Sequence, residues 1–214
     1  RTQAPYFLEN GVSEDCIHVI PHGIDADFFQ PPAARQTGPF RVISVGSYRR
    51  DFGQLAQIFT ALGRRSDIVA TVVAPAEVRA LFEGVPGVTF QSGLTDQELL
   101  DVYQGASCLL MTASNSTANN ALLEAMACGV PVVSSSVGGL PELNIHNQTG
   151  YIAEIGDIDR MAKYAVDLLA NPAKHRAFSE AARNRAIEFN LDKVVTQYEE
   201  YYQRVLNEEH VPAK

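Results

Sequence analysis

The sequence predicts an α/β protein: a Rossmann-like parallel β-sheet flanked by helices, with extra helices at the C-terminal end. Three observations carry this expectation. Short runs rich in β-branched residues recur, apolar almost throughout, as strands covered on both faces must be. Stretches with helical periodicity separate them, so strand and helix alternate as the crossovers of a parallel sheet require. After residue 155 the alternation stops and three helical patterns follow one another.

Taken in order, residues 16–20 are a short strand candidate and 40–45 (FRVISV) a stronger one. Residues 68–73 (IVATVV), 88–91, 107–111 and 130–134 complete the strands. Helical patterns cover 52–62, 76–82, 96–103 and 120–128, then 157–170, 172–189 and 192–206. Thr95-Asp96-Gln97-Glu98 is a capping box, Thr95 bonding forward and Glu98 reaching back. Asn171-Pro172 sets a capping side chain before a proline at the first helical position. Cys128-Gly129 ends a helix on a residue tolerant of left-handed φ. The final helix carries Val194, Val195, Tyr198, Tyr201, Tyr202 and Val205 at mostly three- and four-residue spacing, which reads as packing surface. Residues 31–39 form a proline-rich connector, residues 1–206 one domain, and residues 207–214 a polar, disordered tail.

Composition narrows the function. With 46% hydrophobic and 20% charged residues among 214, the chain has a globular balance. A formal net charge of −8 argues against nucleic-acid binding, which needs clustered Lys and Arg. An anionic ligand must then be held by a local positive site working against the global field. No apolar run approaches the roughly 18 residues of a membrane-spanning helix. The chain opens on Arg1-Thr2-Gln3, with neither an initiator Met nor a signal-peptide pattern, so a fragment or processed chain is expected. Cys16, Cys108 and Cys128 lie far apart, and neither they nor the five histidines show metal-ligand spacing. They read as reduced thiols of a cytoplasmic protein with no metal site.

In an open α/β sheet, ligands bind beyond the carboxyl ends of the strands. Four segments fall there. In 46–53 (GSYRRDFG), Gly46 turns the chain off its strand, and Arg49 and Arg50 follow at the mouth of the sheet. Paired guanidinium groups in an acidic protein suggest an anion such as a diphosphate; neighbouring side chains diverge, so one of the two is expected to face the cleft. Residues 112–120 (TASNSTANN) form a small, uncharged loop running into a helix whose free N–H groups suit phosphate oxygens. Asn119 or Asn120 could equally be a plain N-cap, and both roles can coexist. Glu124 is the single charge of that otherwise apolar helix. It reads either as a cleft-facing carboxylate that grips vicinal hydroxyls or as a surface glutamate on a thin polar stripe. The remaining segments, 91–94 and 135–142, are weaker alone.

Together these segments resemble the C-terminal domain of retaining GT-B glycosyltransferases of family 4, from about Ser13 to Leu206. Residues 17–28 (IHVIPHGIDADF) look like that family's entry run, and 88–94 (VTFQSGL) like its third strand and loop. Residues 121–133 (ALLEAMACGVPVV), followed by 137–142 (VGGLPE), carry the most specific likeness. The resemblance implies one half of a GT-B fold that transfers a sugar, with retention, from a nucleoside diphosphate sugar (UDP or GDP) to an acceptor hydroxyl. It requires no metal or other cofactor. It gives Glu124 the nucleotide ribose, Gln91 and Leu94 the nucleobase side, Asn119 and Asn120 the diphosphate, and Ser116, Thr117 and Ala118 the donor sugar, with Arg49 or Arg50 able to substitute for the family's diphosphate-binding cations. The acceptor site would lie on an N-terminal domain outside these residues, so catalytic groups there stay unknown and the chain alone should transfer little. Peripheral membrane contact of a longer protein stays open. Two departures stand out: Ser116 occupies the place of the family's first motif glutamate, and Ser47 and Phe52 replace its usual Arg and Lys. A non-catalytic nucleotide-sugar-binding module and a nucleotide-sugar 2-epimerase are the rival readings.

Overall fold

The computed structural model describes residues 2–34 and 38–208. Six strands form one parallel sheet in the order β3-β2-β1-β4-β5-β6: β1 Phe40–Val45, β2 Ile68–Val73, β3 Val88–Gln91, β4 Cys108–Met111, β5 Val132–Ser135 and β6 Gly150–Ala153. The helices are α1 Ala4–Glu9, α2 Phe52–Leu62, α3 Asp96–Gln104, α4 Asn120–Ala127, α5 Leu140–Leu143, α6 Ile158–Ala170, α7 Pro172–Ile187 and α8 Leu191–Glu208. Short 3-10 helices lie at Glu14–Cys16 and Ala76–Phe82.

Alternation along the strands splits the core in two. On one face Ile43, Val45, Leu109 and Met111 pack with α3, α4 and the end of α7 through Tyr103, Leu122, Met126 and Ala186. On the other, Val42, Val72, Leu110 and Val133 pack with α2 and α6 through Phe59, Leu55, Met161 and Leu168. Burial on both faces is why these strands are apolar without a period of two. The chain leaves β1 towards β2 on one side and pairs β1 with β4 on the other, so the sheet order reverses between β1 and β4. The space beyond their carboxyl ends, at this switch point, is where α/β sheets bind ligands.

Several expectations need correction. Residues 16–20 form no strand. They end a 3-10 turn and run on irregularly with Val19 49% exposed, and near them only a single bridge, Ile24 to Asn190, pairs backbone. The 76–82 helix is 3-10, because Phe82 is its one buried side chain and a single apolar anchor cannot define an α-helical face. β5 starts two residues later than expected. Strand β6 was not anticipated: four residues including Gly and Ala, at the sheet edge, give little apolar signal. Asn171 does not cap α7 with its side chain; its amide donates to the Asp167 carbonyl (2.9 Å) and carboxylate (2.8 Å), closing α6 instead. The Thr95–Glu98 capping box is present. Helix α8 runs through Glu208, into the tail expected to begin at 207. The rest of that tail, and residues 35–37 of the connector, lie outside the described residues.

Candidate functional site

Two loops meet at the β1/β4 reversal. Gly46, at φ 95°, takes the chain off β1 in a conformation that side-chain-bearing residues rarely adopt. The next residues dock on the loop after β4. Asp51 N–H donates to the Thr112 carbonyl (2.8 Å), Thr112 Oγ1 donates to the Asp51 carbonyl (2.8 Å), and Ser114 N–H donates to the Arg49 carbonyl (3.0 Å). An antiparallel bridge joins Arg50 to Ala113. This lacing holds Arg49 at φ 55°, uncommon for a residue with a side chain.

The two arginines then diverge. Arg49 is exposed, with its guanidinium 5.7 Å from the Tyr48 ring. Arg50 turns inward: Nη2 donates to the Val45 carbonyl (3.1 Å) and to Asn119 Oδ1 (3.3 Å), while its buried Nε has no partner. Burial lowers its pKa, and the Tyr103 hydroxyl works against that fall. A buried cation with an unspent donor beside a helix start is a place for an anion.

Asn119 is the N-cap of α4. Its Oδ1 accepts from Leu122 N–H (3.1 Å) as well as from Arg50, and its Nδ2 donates to the buried Ser116 Oγ (3.4 Å). Capping and contact with the cation therefore coexist on one side chain. Asn120, the first residue of α4, is exposed. Thr117 and Ala118 are exposed and line a cavity of about 710 Å³ with Gly139, His22 and Arg185. The Gly138-Gly139 turn fixes this loop from behind. Gly139 N–H donates to the Ser116 carbonyl (2.9 Å), and a Cβ on Gly138 would lie 1.8 Å from that same oxygen. The glycine pair is thus a requirement of close backbone approach.

Glu124 sits five residues beyond the cap, roughly 7 Å along the helix. Tyr103 Oη, on the fully buried face of α3, donates to Glu124 Oε2 at 2.7 Å. Burial raises the Glu124 pKa, the Tyr103 bond lowers it, and Asp96 and His22 act from nearby with opposite signs. Burial drives the Tyr103 hydroxyl well above its ordinary range, with Glu124 adding to the rise and Arg50 opposing it. One hydroxyl thus feels both Arg50 and Glu124, so guanidinium and carboxylate are near neighbours beside the first turns of α4.

Gln91 and Leu94 are not brought there. They line a separate groove of about 340 Å³ with Arg41, Thr71, Glu98 and Asp101. Glu98 and Asp101 lie on the face of α3 opposite Tyr103. Strand alternation sets the direction of Gln91: Phe90 packs on the α2 side, so Gln91 points to the other. Its Oε1 is buried there without a partner. Sequence reasoning assigned no role to Tyr103 or His22. Tyr103 is one apolar-patterned residue of an amphipathic helix, and its hydroxyl gains meaning only once α3 lies beside α4. Among the described residues no group of three or more His, Cys, Asp or Glu could hold a metal ion.

Residues 29–185 match the family model for glycosyl transferases, group 1. The chain belongs to that family. The matched segment contains every residue of the crevice from Gly46 to Gly139. The N-acetyl-α-D-glucosaminyl L-malate synthase of Bacillus anthracis is 41% identical over 102 residues, which cover 47% of this chain and 27% of the relative. The fold is that of GT-B glycosyltransferases. Anabaena HepE, solved in complex with UDP-glucose, superposes with a TM-score of 0.81 over 94% of this chain and 61% of its own, at 19% identity. The C-terminal domain of a group 1 glycosyl transferase from Francisella tularensis superposes with a TM-score of 0.68, over 79% of this chain and 100% of that domain, at 15% identity. The chain spans between about a quarter and just over half the length of the curated relatives it matches. No helix among the described residues is long and apolar enough to cross a membrane.

Proposed function

We propose that this chain is the donor-binding half of a retaining glycosyltransferase and holds a nucleoside diphosphate sugar across the β1/β4 crevice. The observation that carries this reading is the joint placement of Arg50 and Glu124 at the two ends of the first turns of α4, linked through Asn119 and Tyr103. The diphosphate lies at the N-terminus of α4, where Arg50 and free N–H groups receive it. The ribose hydroxyls donate to Glu124, and the sugar lies over Ser116, Thr117 and Ala118. During transfer the bond from the anomeric carbon to the phosphate oxygen breaks with its electrons leaving on the diphosphate. The acceptor oxygen bonds to the same face of that carbon and passes its proton to an oxygen of the departing diphosphate. Arg50 and the α4 N–H groups meet the charge that develops on the leaving group; each preorganised donor contributes about 3 kcal/mol. In this reading they do the neutralising that a divalent metal would otherwise do.

HepE, bound to UDP-glucose, supports a UDP-hexose as the donor class. The acceptor is received by a second domain, closure of which positions the reactants and excludes water. The buried thiols of Cys108 and Cys128 suit a reducing cytoplasm. A second reading is a binding module without transfer, favoured by Ser116 standing where the family resemblance implies a glutamate. Calorimetric titration with UDP, GDP and ADP tests the proposal: one nucleotide should bind saturably and in preference to the others, and Arg50→Ala and Glu124→Ala should each weaken it. No saturable binding of any of the three overturns the donor site.

A further inference from the structure

Beside Arg50 and Glu124, the buried Tyr103 hydroxyl touches neither phosphate nor sugar in the proposed donor site, yet it bonds the carboxylate that does the binding. Tyr103 is completely buried within the core between α3, α4 and the sheet, its ring edge-on to Phe29 at 5.9 Å. A buried phenol needs an acceptor for its O–H, and Tyr103 donates a hydrogen bond to Glu124 Oε2. The ring cannot follow the carboxylate if Glu124 changes rotamer, because close-packed side chains surround it.

We infer that Tyr103 is a positioning residue for nucleoside recognition: its hydroxyl locks one oxygen of Glu124 and presents the other to the vicinal hydroxyls of the bound ribose. This rests on the donor-site reading of Glu124. The chemistry follows from lone pairs. A carboxylate offers about four acceptor positions, and the phenol takes one of them on Oε2. Oε1 and the second lone pair of Oε2 remain for two O–H donors on adjacent carbons. An unanchored glutamate on a helix would spread over several rotamers, and binding would have to order it.

The same bond keeps the carboxylate ionised. Burial pushes Glu124 towards the protonated form, and a protonated carboxyl has fewer acceptor positions for a diol. The phenol O–H opposes that. The other groups facing the pair are Asp96 at the start of α3, which favours protonation, His22 from the 17–24 loop, which opposes it, and Arg50 and Cys128 beside the Tyr103 hydroxyl. Removing the hydroxyl leaves burial and Asp96 opposed by His22 alone. The nucleotide-binding curve then loses affinity at a higher pH.

The experiment is a calorimetric titration of the 214-residue chain, its Tyr103→Phe variant and its Glu124→Ala variant with UDP and with 2′,3′-dideoxy-UDP, between pH 5 and pH 8.5 as roughly the accessible range. Tyr103→Phe should weaken UDP about tenfold near pH 7 and less towards pH 8.5, and leave the dideoxy nucleotide unchanged. A purely structural role would weaken both nucleotides equally at every pH, and that result, or no change at all, overturns the inference. If Glu124→Ala leaves UDP binding intact, the donor-site reading itself fails; if Glu124→Ala weakens it and Tyr103→Phe does not, only the positioning role fails. Should Tyr103→Phe not fold, the unmodified chain decides. Its affinity for UDP should fall on acidification more than that for the dideoxy nucleotide, and parallel curves overturn the inference.

Discussion

Two tyrosine–carboxylate pairs of the molecule are opposites. In the crevice, Tyr103 donates to Glu124 in a buried setting, and no ion pair to Glu124 occurs among the described residues. Near the sheet edge, Tyr151 of β6 donates to Asp167 of α6, and Lys174 of α7 bonds to both, at 3.1 Å to the hydroxyl and 2.9 Å to the carboxylate. Tyr151 also stacks on Tyr164 at 4.2 Å. Hydrogen bonds from Tyr151 and Lys174 lower the Asp167 pKa, whereas burial raises that of Glu124. The edge cluster has met its own needs and ties three elements together. The crevice pair has one oxygen bound and acceptor capacity left, alongside an arginine with an unspent donor. Unmet polar capacity converging on a sheet's carboxyl end marks a ligand site; the same residue types fully satisfied mark a structural tie.

If that difference is real, substitutions at the two places should part company. Arg50→Ala should have the largest effect on ligand binding, weakening a nucleoside diphosphate by about 2–3 kcal/mol, close to a hundredfold, in calorimetry, while leaving a nucleoside without phosphates unaffected. Gly138→Ala acts through the loop instead. Its Cβ would meet the Ser116 carbonyl at 1.8 Å with φ at 51°, so stability should fall by about 2–4 kcal/mol in denaturant unfolding, together with nucleotide affinity. Lys174→Met at the edge cluster should lower the thermal midpoint slightly and leave nucleotide affinity unchanged.

Acid should also separate the pairs. Asp167 is depressed below the ordinary 3.8, so its contribution to stability is present above that value and is lost as pH falls through its folded pKa. Glu124 is raised above 4.5, so protonation favours the folded state and its effect on stability runs the other way, disappearing as pH rises through its folded value. Just above pH 4.5, acidification should therefore weaken nucleotide binding without loss of stability, which paired calorimetry and thermal unfolding will show.

Much of this was legible in the sequence, for identifiable reasons. β1 and β2 are nearly continuous apolar runs and β3 is a short β-branched and aromatic run, and their boundaries coincide with those read from residues 40–45, 68–73 and 88–91. The sequence narrows the α4 cap to Asn119 or Asn120, and the isolated charge of Glu124 stands out against its helix. What could not be read depends on packing. Gln91 and Leu94 sit close in sequence to α3, yet the helix itself separates them from Glu124. Tyr103 and Glu124 are 21 residues apart, and only the lateral spacing of α3 and α4 makes them a pair. β6 escaped because a four-residue edge strand with Gly and Ala is too short to show a period.

The most direct measurement is a crystal structure of the chain soaked with UDP. The nucleotide should lie over the start of α4, its ribose hydroxyls donating to Glu124 and its diphosphate oxygens accepting from Arg50. Density for UDP in the groove between Arg41, Gln91 and Asp101, with Arg50 and Glu124 untouched, would contradict the assignment of the crevice.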